Sequence, residues 1–427
     1  MTTAESSAAT GRRGALPAAP AEPPRSAAAE GGGRLLSLDA LRGFDMFWIV
    51  GAGALVGALG QLNDNRVTRF LSAQLTHVQW EGFHFEDLIF PLFVFISGVS
   101  LVFSTDKMIA RQGAAKAVLR LVRRGVSLVL LGLFYYGGVS GRWSDIRLLG
   151  VLQYIGLACL FGGTLYVALR RARAIAAVCA AMLLGYWALM ATVPFPDLRL
   201  DKDSLAKAVT QAGSQDPALV LRCAAGKVRG RYEEGYNLSN YVDYRFLPGR
   251  KANGAYENQP LLGVMGVVSA SLLGVLSGLW LRRTDVSDRR KVVGLLAVGA
   301  AGVAIGLLWG GRLPVVKKLW SSSFVLVSCG CSAVLLGAFY YAVEVLKSRR
   351  WCQPFVWIGM NSIVLYLAHN VLSFPKLAER LAGGDLQRCL DAHVAQGAGN
   401  VFLVLVELSL TFLFVRFLYV RKIFIRL

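Results

Sequence analysis

Ten predominantly apolar stretches follow one another along this chain, each close to the roughly 20 residues a helix needs to cross a bilayer. They run Gly43–Gln61, Asp87–Thr105, Gly125–Ser140, Leu149–Leu169, Ala174–Val193, Asn258–Leu281, Val292–Trp309, Ser321–Leu346, Pro354–Ser373 and Asn400–Val420. The sequence therefore predicts an all-α polytopic membrane protein of about ten transmembrane helices. Composition agrees: 55% of the residues are hydrophobic and only 17% charged, less charge than a soluble domain carries. The 46 glycines suit helices that pack closely, and the GxxxG spacings at Gly53/Gly57, Gly274/Gly278 and Gly302/Gly306 predict such faces.

A net charge of +20 raises the question of nucleic acid. The basic residues, however, sit in short clusters between apolar runs rather than along one face, which argues for membrane topology and for an anionic ligand instead. One set of linkers, with Arg120, Arg123 and Arg124 in the first and Arg421 and Lys422 in the last, carries twice the basic residues of the alternate short linkers. The positive-inside rule then puts both termini in the cytoplasm and places His77 and the long loop of residues 194–257 outside. Residues 1–33, rich in Ala, Gly, Ser, Pro and Arg, read as a disordered cytoplasmic tail ahead of a membrane domain over 34–427. They lack the apolar core of a secretory signal.

Seven cysteines form no evident disulfide framework. Only Cys223 and Cys389 are both expected outside, where a bridge is chemically allowed. No Walker loop, CxxC pair, HExxH or dinucleotide fingerprint is present, so no metal site is expected.

His77 opens the most informative stretch, HVQWEGFHFEDLIFP, at the mouth of the second span. Imidazole takes and returns a proton near neutrality and serves as a nucleophile towards acyl groups. Titratable groups set against lipid are costly and usually functional. Asp87 orients that imidazole, holds an amine, or simply favours the helix dipole at a first turn. His84 would share the face of His77 if the segment were helical, and a structural role is favoured for it. Trp80 reads as an interfacial belt residue or as a platform for a sugar.

Six motifs occur in order: RLLSLDALRG from Arg34, HVQWEG from His77, DLIFPLFVFISG from Asp87, RLLGVLQ from Arg147, KLWSSSF from Lys318 and GMNSIVLYLAH from Gly359. Together they make the chain resemble the heparan-alpha-glucosaminide N-acetyltransferase family and its bacterial relatives, across nearly everything beyond Arg34. The resemblance implies a multi-helix enzyme that moves acetyl from cytosolic acetyl-CoA to the amine of a terminal glucosamine across the membrane, with His77 as the catalytic residue. It also implies residence in a bacterial inner membrane. Two departures bear on the acceptor. The family's Gln-Arg is Gln153-Tyr154 here, and its Asp-Pro-Glu-Gly appears as Glu257-Asn258-Gln259-Pro260.

The residues themselves allow His77 to act as general base or as acetyl acceptor, and both remain open. Asn361, Ser362, Tyr366 and His369 form a polar stripe on the ninth span, bonding to other helices or lining a substrate path. Asn237 and Asp243 in the long loop hold sugar hydroxyls or structure the loop. Arg42, Arg120, Arg123 and Arg124 are candidates for the CoA phosphates or serve topology alone. An amino-sugar permease is the competing reading from another class, and a different exported glycan the competing acceptor. A homodimer is compatible with the sequence.

Overall fold

The computed structural model describes residues 35–63, 65–138 and 140–424; the tail expected over 1–33 lies outside the described residues. Within lipid a backbone must satisfy its own polar groups, and the apolar stretches do so as helices. They are α1 (Leu36–Leu62), α2 (Phe85–Gln112), α3 (Ala114–Tyr135), α4 (Val151–Leu169), α5 (Ala172–Thr192), α6 (Val264–Arg282), α7 (Asp288–Gly310), α8 (Ser322–Val345), α9 (Gln353–Met360), α10 (Ser362–Leu372) and α11 (Ala398–Val420).

Eight of these are long and apolar enough to cross a membrane, and α9 with α10, bent by 78° at Asn361, makes up to nine among the described residues. The all-α polytopic expectation holds, and by length and composition the described residues supply eight or nine of the roughly ten expected spans. The difference is α3. Its first half carries Lys116, Arg120, Arg123 and Arg124, so its composition does not mark it as a span, although its 22 residues are long enough to cross. The first span begins earlier than predicted, at Leu36, and the sixth later, at Val264, because residues 258–263 form turns.

Small residues set the closest contacts. A Cβ on Gly274 of α6 would fall 2.1 Å from the Phe95 carbonyl oxygen of α2, so the two backbones approach as only glycine permits. Gly302 and Gly306 of α7 likewise sit against Gly330 and Val327 of α8. Gly53 and Gly57 face no neighbour within 4 Å, contrary to expectation. They follow a π-helical turn at Trp48–Ala52 in which Gly51, at φ +152°, redirects α1 towards Leu408 of α11.

On the outside, α5 and α7 bury only 28% and 22% of their most apolar windows. Apolar side chains such as Val298 and Leu308 point outwards. That much exposed apolar surface belongs against lipid tails, and the protein is an integral multi-pass membrane protein.

The linkers gather at the two ends of this bundle. At one end Asp106 of α2 binds the Tyr166 hydroxyl of α4 at 2.9 Å and pairs with Arg170 and Arg282. At the other end the loop of residues 194–257 packs as short helices, Lys202–Ala212 and Leu238–Phe246 among them, with two small ribbons. Arg147, just ahead of α4, clamps this loop by donating to both carboxylate oxygens of the fully buried Glu257, at 2.9 and 2.8 Å. Cys223 and Cys389 are both free.

Candidate functional site

Residues 77–84 are not helical, which overturns the shared face expected for His77 and His84. The segment is an irregular loop pinned to the turn that precedes α8. Glu81 bridges to Val316, and the Gly82 amide donates to the Val315 carbonyl at 2.9 Å. That pairing carries Lys317 to His77.

Asp87 holds the other side. Its carboxylate, 1% exposed, accepts from the backbone amides of His84 at 3.1 Å and Val78 at 3.3 Å. These bonds cap the start of α2 and fix the loop. The second carboxylate oxygen lies 3.1 Å from Nδ1 of His77 and 3.3 Å from Nζ of Lys317. Asp87 thus both caps α2 and stands beside the imidazole. His84 is structural, with its Nδ1 2.8 Å from the Thr76 carbonyl.

Lys317 completes a triangle, its Nζ 3.1 Å from the same Nδ1. Burial lowers the pKa of its ammonium from the ordinary value, and the charges of Asp87 and Glu86 oppose that shift. The two contacts at Nδ1 exclude each other as hydrogen bonds. With a proton on Nδ1 the ring donates to Asp87 and leaves the Nε2 lone pair available; without one it accepts from Lys317 and carries the proton on Nε2. The His77 side chain is 57% exposed, and its Nε2 has no partner among the described residues.

A cavity of about 290 Å³ opens beside the ring. Its polar wall is His77, Glu86, Asp87, Lys317, Asn258 and Gln259; its apolar wall includes Met46 of α1, Phe90 and Phe93 of α2, and Ile155 of α4. Trp80 also lines it, held by its indole N–H donating to the Tyr232 carbonyl at 2.8 Å, with the Lys318 ammonium 5.8 Å above the ring. Arg147 reaches Gln259 at 3.1 Å, so the clamp on Glu257 also sets this wall. There the burial of Arg147 is outweighed by its hydrogen bonds to Glu257, which hold the guanidinium pKa above its ordinary value.

His77, Asp87 and Trp80 therefore come together, whereas the other proposed substrate contacts lie elsewhere. Asn237 is buried at the start of Leu238–Phe246, where it accepts from the Asn240 amide and donates to the Glu233 carbonyl. Asp243 is fully buried and accepts from the amides of Glu257 at 3.1 Å and Leu261 at 2.8 Å. Burial above all raises its carboxyl pKa to about 7, with the Glu257 charge adding to the effect and the two amides opposing it. Both residues fold the loop. On the broken ninth span Ile363 and Tyr366 face the cavity, not Asn361, Ser362 or His369. Of the predicted stripe, only Tyr366 reaches the cavity wall. Asn361 stays buried there with both side-chain amide atoms unpartnered among the described residues, and the His369 ring lies 6.2 Å from that of Phe374.

At the opposite end of α2, Arg120 and Arg124 line a recess of about 50 Å³ with Ser104 and Thr105, and the buried Nε of Arg124 has no hydrogen-bond partner there. Arg123 is exposed. Arg42 is engaged by Ser100 at 2.6 Å and Asp39 at 3.3 Å.

Sequence reasoning missed Lys317 and Glu86. Lys317 stands one residue ahead of a quoted motif, and Glu86 next to Asp87; two successive carboxylates in a first turn and a lysine at the mouth of a span were the available signals.

Residues 34–201, which include His77, Trp80 and Asp87, match the family described as heparan-alpha-glucosaminide N-acetyltransferase, catalytic. The heparan-alpha-glucosaminide N-acetyltransferase of Mus musculus is 26% identical over 347 residues, 71% of this chain and 51% of that protein. The Homo sapiens protein of the same name is 26% identical over 343 residues, 70% of this chain and 49% of its own length. The chain thus spans about half the length of these curated relatives.

Proposed function

We propose that this chain, a relative of the heparan-alpha-glucosaminide N-acetyltransferases, is a transmembrane acetyltransferase that moves acetyl from acetyl-CoA to the amine of a glucosamine-type sugar. The observation that carries the reading is the His77–Asp87 pair, 3.1 Å apart at the wall of a cavity inside the helical bundle. A thioester is attacked by a neutral amine, and a sugar amine is largely protonated before it binds. With Nδ1–H facing Asp87, the Nε2 lone pair of His77 removes a proton from the amine, and the carboxylate stabilises the imidazolium that results. In the two-step alternative the same lone pair attacks the thioester carbonyl, CoA leaves as the thiolate, and the acetyl group passes from Nε2 to the amine.

The donor's phosphates suit the recess of Arg120 and Arg124, because guanidinium groups pair bidentately with phosphate oxygens. The positive-inside rule puts that end in the cytoplasm and the His77 cavity on the outer side of a bacterial inner membrane. Arg42, tied to Asp39 and Ser100, and the exposed Arg123 are weaker candidates for the same anion.

The test is purified protein in detergent, given acetyl-CoA and a panel of amino sugars, with free CoA as the readout. Release of CoA that depends on an amine, or a stoichiometric burst without one, supports transfer. Uptake of an unmodified sugar into vesicles with no CoA release would point to a permease instead.

A further inference from the structure

The cavity beside His77 has an unbalanced charge. Asp87 is matched by Lys317 at 3.3 Å, and Lys318 by Glu234 at 2.7 Å. The His77 ring is neutral in the form that acts as base. Glu86 remains. It lines the cavity, yet its carboxylate makes no hydrogen bond or ion pair among the described residues. The backbone explains why the nearest cation does not neutralise it. Lys317 spends its ammonium on Asp87, on His77 Nδ1 and on the Glu86 carbonyl at 3.5 Å, all on the loop side of the first turn of α2. Glu86 directly precedes Asp87 and lines the same cavity as His77, so the carboxylate stands within the reacting region. Asp45 of α1 supplies no positive charge either; its own two carboxyl oxygens are buried and unpartnered among the described residues.

We infer that Glu86 is a specificity-determining residue of this cavity, the carboxylate that holds the positively charged ammonium of an amine-bearing ligand next to His77. The inference deepens the acetyl-transfer reading and rests on it for the amine's fate, though the charge preference stands on the cavity alone. A half-buried carboxylate is costly without a cation, and a low-dielectric wall strengthens its attraction for one. The occupant is thereby a primary amine that arrives as its ammonium. Asn258 and Gln259, set by the Arg147 clamp, are placed for neutral hydroxyls rather than for charge.

The test compares two probes of the same ring, D-glucosamine and D-glucose, titrated calorimetrically into the full chain in detergent at neutral pH. The wild type is expected to bind glucosamine at least about tenfold more tightly than glucose, since a charge-assisted hydrogen bond contributes about 1.5–3 kcal/mol. Glu86→Gln should abolish the preference, and Glu86→Asp should keep part of it. A second measurement, binding of acetyl-CoA, reports whether either variant remains folded. A wild type that binds glucosamine no better than glucose overturns the inference, as does a folded Glu86→Gln protein that keeps the wild-type preference. If glucosamine is preferred but never acetylated, the transferase reading fails and the ammonium site stands.

Discussion

His77 and Lys317 stand 240 positions apart in the chain and 3.1 Å apart in space, Nδ1 against Nζ. Asp87 approaches the same nitrogen at the same distance. One ring nitrogen is thus offered an acceptor and a cation at once, and which of them it engages decides whether Nε2 carries a lone pair or a proton. In the proposed mechanism that choice gates the chemistry at the cavity.

Asp87→Asn tests the gate. An amide still caps α2 through its carbonyl oxygen, but it loses the charge that draws Nδ1–H, leaving Lys317 to donate to Nδ1. Acetyl transfer is expected to fall by on the order of 10,000-fold, as when a base is held in the wrong tautomer, with acetyl-CoA binding retained. Ring nitrogen chemical shifts of His77 should report the proton moving to Nε2. Lys317→Met should push the same shifts the opposite way. Identical shifts in both variants would remove the gate.

Much of this architecture was legible in the sequence, because twenty-residue apolar runs have one stable form in lipid. The site was legible where the chain is local: His77, Trp80 and Asp87 lie within eleven residues of one another and arrive together. Lys317 was not, since it is brought in by the pairing of Glu81 and Gly82 with Val316 and Val315, distant in sequence. Asn237 and Asp243 were ambiguous for a different reason. A polar side chain that satisfies a buried loop's own amides looks the same in sequence as one that awaits a sugar. On the ninth span the polar spacing shows a shared face but not what that face meets, and of it only Tyr366 lines the cavity.

Asp243 gives a pH dependence with a definite sign. Its folded pKa of about 7 lies above the ordinary 3.8, so the folded state binds more protons between these values. The group's contribution to stability is complete below 3.8 and is lost as pH rises through about 7. Thermal inactivation half-lives in detergent should therefore shorten from pH 5 to pH 8, and Asp243→Asn should flatten that part of the profile. A variant profile that falls as steeply as the wild type would assign the slope to other groups.

The recess of Arg120 and Arg124 predicts a salt-sensitive donor site. Arg124→Ala, which removes a half-buried guanidinium, should weaken acetyl-CoA binding more than Arg120→Ala, and more than Arg123→Ala at an exposed position. Raising ionic strength to 1 M, where screening acts within about 3 Å, should narrow the difference between wild type and variants. Equal affinities in all four proteins at low salt would return these residues to a purely topological role.

The decisive variant is His77→Ala. The ring is more than half exposed and contributes little to packing, while Asp87 keeps its two backbone amides and Lys317, so the bundle should stay folded. Loss of a general base costs on the order of 100- to 10,000-fold in rate, and loss of an acetyl carrier removes the reaction path altogether. Radiolabelled acetyl-CoA separates the two. Given to the wild type without acceptor, it should leave label on His77 and release CoA in a stoichiometric burst if transfer is two-step; if transfer is direct, CoA appears only with an amine. In either case the variant should be silent, and near-normal transfer by folded His77→Ala protein would take this residue, and the site built around it, out of the chemistry.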